Sequence, residues 1–363
     1  MAKKDDYRRG RGSNRPPSGE IDRYNYIDRD LYSSSEREVS SSSSPAKRRR
    51  TKKKKKGKKA LTLALCLLFL LGAGIFVYAS SLLSQINRDT TNADSYIQQP
   101  SDAPQWDVMS DKKVTNILLL GTDREKDGLQ RSDTMMLVSI DNKNKVIKLT
   151  SFLRDLYVEI PTVGKTRLNA AYSNGGAALA MQTIENNFRV NIDQFVTIDV
   201  DSFAEIIDKM GGIEVNVSQP EADEMNRVMD AQMSAGKNHM RGTLALYYSR
   251  IRMIDSDFAR TNRQRKVVGC MVDKLKTKNP IELSSLLHDY MGYVTTNLTD
   301  GEMLGLAANA IGLMNYPIET MHIPQGGMYE DRDISGAKVL VPDLEGNSKE
   351  LREFLYGKDQ TMQ

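Results

Sequence analysis

Residues 60–83 (ALTLALCLLFLLGAGIFVYASSLL) form a run of 24 residues without a charge. About 20 predominantly apolar residues in a helix span a bilayer core of about 30 Å. This run therefore predicts one transmembrane helix, and it divides the chain into two parts that meet different solvents. Eleven Lys and Arg crowd residues 47–59 on its N-terminal side. The positive-inside rule then places the N-terminus in the cytoplasm and the C-terminal part outside the cell. A cleaved signal peptide is the competing reading. It fits poorly, because the apolar run exceeds an h-region of about 7–15 residues and the preceding segment is far too long.

The net charge of +4 conceals a sharp asymmetry. Residues 1–59 hold 20 Lys and Arg against 8 Asp and Glu, so the remainder of the chain is acidic. The tail is poor in aliphatic residues and rich in serine, a composition that predicts disorder. Its basic block reads first as an orientation signal that also attracts anionic headgroups. Nucleic-acid binding or nuclear localisation suits the composition but not the position beside a membrane span. Phosphorylation of the serine runs at 33–35 and 40–44 is a third reading. Cys66 lies in the span and Cys270 beyond it, so they do not pair and the outer domain folds without an internal disulfide. His239, His288 and His322 lack metal-ligand spacing.

Beyond the span, residues 84–112 are polar and rich in structure breakers, and read as an extracellular stalk. Residues 113–357 read as one domain. Its first part is a β meander, with strands at 116–121, 134–140 and 146–151 and a further candidate at 156–160. If the first three strands are antiparallel neighbours, Gly121–Asp123, Arg131–Asp133 and Arg154–Asp155 all fall at one edge of the sheet. Helices are expected at 170–188, at 202–210 capped by Asp201, at 220–233 on the surface, and at 258–276 capped by Asp257. Two more are expected at 280–289 and 301–314, with short strands at 213–217 and 321–324. Mixed elements of this kind predict the α/β class, with a central mixed sheet covered by helices on both faces.

Arg250, Arg252, Arg260, Arg263 and Arg265 lie within sixteen residues (YYSRIRMIDSDFARTNRQR, 247–265). Guanidinium forks match phosphate oxygens bidentately, so the cluster suggests a site for a diphosphate. A solvated, charged helix face is the alternative. Arg260, Arg263 and Gln264 are expected on one face near a helix N-terminus, where free N–H groups favour an anion. Asp123 and Asp133 are the metal candidates, since Mg²⁺ is held by one or two carboxylates with water and phosphate completing its shell. Each equally suits a turn cap. Arg131 and Arg154 suit either phosphate or a salt bridge to Asp133 or Asp155. The segment 166–176 (TRLNAAYSNGG) offers Asn169 and Tyr172 for hydrogen bonding, with no mechanism legible from residue types. A Walker loop, a Ser-His-Asp order and a Cys/His cluster are all lacking, which disfavours nucleotide hydrolysis, serine hydrolysis and zinc chemistry. Arginines and a divalent ion beyond a membrane span point to a lipid-borne diphosphate, because phosphoryl transfer depends mostly on positioning and charge.

Six segments together carry a resemblance: NILLLGTD (116–123), RSDTMMLVSI (131–140), TSFLRDLYVEIP (150–161), RLNAAYSNGG (167–176), DSFAEIIDKMGGIEV (201–215) and the arginine stretch at 247–265. In this order they resemble the LytR-CpsA-Psr family over nearly all of residues 114–345. The resemblance implies a three-layer α/β/α domain that binds a polyprenyl diphosphate. It also implies a Mg²⁺-dependent phosphotransferase, with Mn²⁺ as an alternative ion, that moves a glycopolymer from undecaprenyl diphosphate onto peptidoglycan. By motif, Asp123 and Asp133 are expected to hold the metal. Arg131, Arg154, Arg250, Arg252 and Arg260 are expected to grip the diphosphate as the catalytic set. Arg263, Gln264, Arg167 and Asn169 are the remaining substrate-binding candidates, and the lipid tail is expected in an apolar channel between sheet and helices. The chain departs from the family pattern at Arg124, which directly follows the aspartate, at Leu153 in place of a common proline, and at Arg167 in place of a common lysine. Expected partners are the membrane, the lipid-linked polymer and peptidoglycan, with no nucleic acid. A phosphatase acting on the same lipid and a non-catalytic envelope regulator remain as alternative functions.

Overall fold

A computed structural model describes residues 80–124 and 130–357, apart from 82 and 99. The basic tail and all but the last few residues of the expected membrane span lie outside the described residues. Among the described residues no helix is long and apolar enough to cross a membrane.

The chain order begins with a short strand β1 (Asn87–Arg88), then β2 (Val114–Arg124), β3 (Gln130–Asp141) and β4 (Val146–Phe152). A hairpin follows, β5 (Tyr157–Ile160) and β6 (Gly164–Arg167), then helix α1 (Ala170–Phe188), strand β7 (Gln194–Asp199) and helix α2 (Val200–Lys209). Next come β8 (Ile213–Val217), α3 (Gln219–Met229), β9 (Gly236–Met240), α4 (Gly242–Arg250), α5 (Asp257–Lys276) and α6 (Pro280–Tyr290). The last elements are β10 (Val294–Thr296), α7 (Asp300–Leu313), β11 (Ile318–Ile323), β12 (Tyr329–Ile334), β13 (Ala337–Pro342) and α8 (Leu344–Tyr356).

Seven strands make one mixed sheet in the order β1-β10-β7-β2-β3-β4-β11. β2, β3 and β4 are antiparallel neighbours, while β7 joins β2 and β11 joins β4 in parallel. The period of two along a strand sends alternate residues to opposite faces. Leu118 and Leu137 are cross-strand partners in the core that α1 and α8 cover. Their neighbours Leu119 and Met136, also paired, line a cavity beneath α2, α4 and α5 on the other face. A second core joins α2, β8, α3, α4 and α5.

Two glycines set the geometry near the cavity. The β2–β3 register shifts between Gly121 and Thr122, so that Thr122 opposes Ser132 and Asp123 opposes Arg131. A Cβ on Gly121 would lie 3.0 Å from the Thr134 Cβ, so close that Thr134 would have to shift. The extra residue is Asp133 on β3, which has no cross-strand partner and joins the cavity lining, a device common beside functional sites. Gly242 starts α4 so close to α2 that a Cβ would overlap the Ala204 carbonyl. That contact fixes α4, whose last residue is Arg250.

Several local expectations are corrected. Asp199, not Asp201, caps α2; its carboxylate accepts from the Asp201 and Ser202 backbone N–H groups at 3.1 and 2.9 Å. Ser256, not Asp257, caps α5, accepting from the Ala259 N–H at 3.3 Å. This shift matters, because Asp257 inside the first turn is then free to bind an arginine three residues on. α3 ends at Met229 and buries Glu221, Ala222, Glu224 and Met225 rather than lying on the surface. The segment 84–112 is not a free stalk. β1 pairs with β10, and the Met109 N–H donates to the Arg189 carbonyl at 3.0 Å. The Arg352 guanidinium stacks 4.9 Å from the Trp106 ring.

Candidate functional site

The antiparallel meander brings sequence-distant groups to one sheet edge. Asp123 stands at the end of β2, Asp133 near the start of β3, and Arg154 two residues past β4. The end of α4, the following loop and the first turns of α5 close over that edge with Arg250, Arg252 and Arg260. Asp123, Asp133, Arg250, Arg252, Arg260 and Gln264 form the polar mouth of a cavity of about 480 Å³. Its walls are apolar, among them Ile198, Phe203, Leu246, Val268, Met271 and Leu275.

Charges alternate through the mouth. Arg167 lies 3.2 Å from Asp155, and Asp155 lies 3.5 Å from Arg154 Nε. Arg154 Nη1 donates to Asp133 Oδ2 at 2.8 Å, with Arg252 at 3.9 Å from the same oxygen. Arg252 Nε is 3.5 Å from Asp257, whose two oxygens face the two terminal nitrogens of Arg260 at 2.7 Å each. Arg250 and Asp123 form a separate pair at 2.5 Å. Burial pulls the Arg154 pKa down, but Asp133, and then Asp155 and Asp257, more than offset it and leave it above the ordinary value. Burial raises the Asp257 carboxyl, and Arg252 and Arg154 only partly reverse that.

The polar atoms left over are informative. Arg154 Nε, Arg260 Nε and Asp133 Oδ1 are buried without hydrogen-bond partners. Such groups cost free energy when nothing fills the site. Two unfilled guanidinium donors suit anion oxygens, and an open carboxylate oxygen suits a cation. Among the described residues no group of three or more His, Cys, Asp or Glu gathers as a metal cage. The donor set therefore fits an ion such as Mg²⁺ that takes one or two carboxylates and completes its shell with water and phosphate.

The other candidates separate. Arg131 opposes Asp123 across the strand pair but is not part of the cavity lining. Arg167 reaches the mouth only through Asp155, and the buried Asn169 donates its backbone N–H to the Arg154 carbonyl at 3.1 Å. The expectation that Arg263 shares a face with Arg260 and Gln264 is corrected. Arg263 is 3% exposed and turns into the second core. There it holds both oxygens of Asp255 at 2.7 Å and donates to the Ile251 carbonyl at 2.6 Å. It thus pins the loop that carries Arg252. Arg265 is also buried, and desolvation lowers its pKa to about 10. The histidines have ordinary partners: Glu214 for His239, Gln85 for His288 and the Pro324 carbonyl for His322.

The apolar channel was expected from the resemblance alone, and the residues of its wall were not named, although a signal for them exists. Arg260, Gln264, Val267, Val268, Met271 and Leu275 recur at helical spacing, so one stripe of α5 runs from charge to oil.

Removing Arg263 leaves the buried Glu221 without its cation and frees the exposed Asp255 and the Ile251 carbonyl. Arg263→Ala is expected to destabilise the domain by about 3 kcal/mol. Urea denaturation of the purified protein measures this, and an unchanged midpoint would show that the buried network contributes nothing.

One cavity thus joins apolar walls to a mouth of alternating arginines and carboxylates. The chain belongs to the LytR_cpsA_psr family, whose model matches residues 77–353. The polyisoprenyl-teichoic acid–peptidoglycan teichoic acid transferase TagV of Bacillus subtilis is 32% identical over 231 residues, 60% of this chain. That match covers 58% of TagV, less than two thirds of its length. The regulatory protein MsrR of Staphylococcus aureus is 28% identical over 255 residues, 68% of this chain and 76% of MsrR. The solved structure of TagT bound to LIIa-WTA is 26% identical with a TM-score of 0.57, covering 71% of this chain and 96% of that one.

Proposed function

We propose that this protein is a membrane-anchored, extracytoplasmic phosphotransferase. It moves a glycopolymer, such as teichoic acid, capsule or a similar polysaccharide, from undecaprenyl diphosphate to a peptidoglycan hydroxyl. The observation that carries this reading is one cavity that combines an apolar body with an arginine-carboxylate mouth. A polyprenyl chain is buried by the first, and a diphosphate is matched by the second. The apolar run at 60–83 anchors the domain where such a lipid is available.

In this reading Arg154, Arg250, Arg252 and Arg260 bind the diphosphate oxygens and neutralise the charge that grows on them, with Arg131 supporting from the strand edge. Asp123 and Asp133 would hold Mg²⁺ or Mn²⁺, which supplies further charge neutralisation on the phosphate oxygens. The acceptor oxygen forms a bond to the phosphorus that carries the polymer. The bridging P–O bond to polyprenyl monophosphate breaks, and the hydroxyl proton passes to a base. Asp257 and Asp155 border the arginines and are the candidates for that base; burial holds the Asp257 carboxyl above the ordinary range, closer to the pH at which a base works.

The test supplies defined lipid-linked polymer with and without peptidoglycan. Polymer attached to the acceptor, with polyprenyl monophosphate released in step, is the expected result. Release of free polymer phosphate that acceptor does not suppress would mean that water is the acceptor and the protein is a phosphatase. Binding of the lipid with no turnover would mark a non-catalytic regulator.

A further inference from the structure

The segment 166–176, whose residue types gave no mechanism, adjoins the mouth from the other face of the sheet. Leu168 and Asn169, just before α1, donate their backbone N–H groups to the Leu156 and Arg154 carbonyls at 2.8 and 3.1 Å. The start of α1 is thereby fixed at the edge that carries the mouth. Gly175 and Gly176 then leave helical geometry, with Gly176 at a φ of 65°. They set the turn Ala170–Asn174 apart from the helix that continues at Ala177. A Cβ on Gly176 would have nothing within 4 Å, so this backbone lies open to close approach.

Hydroxyl groups gather beside the turn. Along β2 the period of two sends Gly121 and Asp123 to the cavity and Thr122 to the α1 face, where Leu118 lies in the core. Thr122 is 1% exposed, and its Oγ1 has no hydrogen-bond partner. Ser173 Oγ, in the first turn of α1, is likewise buried without a partner. Tyr172 is partly buried against the α1 core, with Thr197 of β7 beside its hydroxyl. Thr197 opposes Leu120 in the β2–β7 register, so it and Thr122 are neighbours on one face. Buried hydroxyls left open in this way call for a partner.

The direction of attack supplies one. In phosphoryl transfer the attacking and leaving oxygens lie roughly in line through phosphorus. The leaving oxygen carries the polyprenyl chain into the cavity, on the face that α2, α4 and α5 cover. The acceptor oxygen therefore arrives from the opposite side of the phosphorus, across the sheet edge, where the start of α1 stands. Hydroxyl side chains both donate and accept, which matches the hydroxyls of a neutral glycan.

We infer that the turn Ala170–Asn174, together with Thr122 and Thr197, holds the glycan strand that bears the acceptor hydroxyl. No bond is made or broken by these residues. They position the hydroxyl whose oxygen joins phosphorus as the bridging P–O bond to polyprenyl monophosphate breaks. The inference rests on the proposed transfer from a lipid-linked diphosphate.

The test varies acceptor and lipid-linked polymer separately in the transfer assay, for Tyr172→Phe, Ser173→Ala and the two together. One hydrogen bond is worth roughly a fivefold factor, so the double variant should raise the KM for soluble peptidoglycan strands about tenfold or more. The KM for lipid-linked polymer and the urea midpoint should hold. Tyr172→Phe alone, which removes only a hydroxyl, carries the test if the double variant does not fold. If the wild type transfers polymer and the variants keep its KM for acceptor, the inference is overturned and the transferase reading stands. A KM that rises for the lipid-linked polymer instead assigns the hydroxyls to the donor's sugars and also overturns it. A wild type that spends the lipid on water alone overturns both together.

Discussion

Arg154→Ala is expected to lower polymer attachment roughly a thousandfold while leaving the denaturation midpoint nearly unchanged. Arg154 occupies the centre of the charge ladder. Its Nη1 holds Asp133 Oδ2 at 2.8 Å, its Nε faces Asp155 at 3.5 Å, and that same Nε has no hydrogen-bond partner. Without it, Asp133 Oδ2 retains only Arg252, at 3.9 Å. The site would then lose a phosphate donor and the group that orients one metal-holding carboxylate. The fold depends on Arg154 less, since its side chain is partly exposed behind Asp133 and its backbone carbonyl still accepts from Asn169. Arg154→Lys keeps the charge but not the planar fork, and should recover only a small part of the rate. Transfer of defined lipid-linked polymer to isolated wall is the assay. A normal rate in Arg154→Ala would remove Arg154 from the site.

The convergence of Asp123, Asp133 and Arg154 was legible because a meander has few options. Three strands joined by short connections pair antiparallel, and alternate ends then share an edge. The apolar runs and polar turns that define those strands are local signals. What resisted reading was orientation about a helix axis. At about 100° per residue, Arg263 and Gln264 fall on opposite sides of Arg260; Gln264 lies toward the cavity and Arg263 at the stripe's edge, where Asp255, Glu221 and the Ile251 carbonyl hold it. A cluster of five arginines therefore divides. Arg250, Arg252 and Arg260 face the mouth, Arg263 pins the loop, and Arg265 is buried without an acid. Composition shows the density of charge but not this partition, which depends on Asp255 and Glu221 drawing Arg263 inward. The helix at Gly242–Arg250 was also missed, for a physical reason. Arg241 stands at its cap and makes no capping bond, so the segment has no start signal, and its position comes instead from the close approach of Gly242 to Ala204.

The second large effect concerns the tail rather than the head. Met271 lies in the apolar stripe of α5, between Gln264 at the mouth and Leu275 at the deep end. Met271→Trp places a rigid ring in a cavity of about 480 Å³ and shortens the space left for an isoprenoid chain. Burial is worth about 0.8 kcal/mol per CH₂, so displacing roughly three or four carbons of an isoprene unit costs about 3 kcal/mol, on the order of a hundredfold in affinity. The arginines and aspartates at the mouth are untouched. Binding of a long polyprenyl diphosphate should therefore fall on the order of a hundredfold, while a diphosphate with a short prenyl chain that ends before Met271 should bind as it does to the native protein. Calorimetry with the two chain lengths separates head from tail. Equal losses for both would mean that the tryptophan disturbs the mouth. No loss for either would mean that the tail does not enter this cavity, and that the apolar stripe from Val267 to Leu275 serves packing alone.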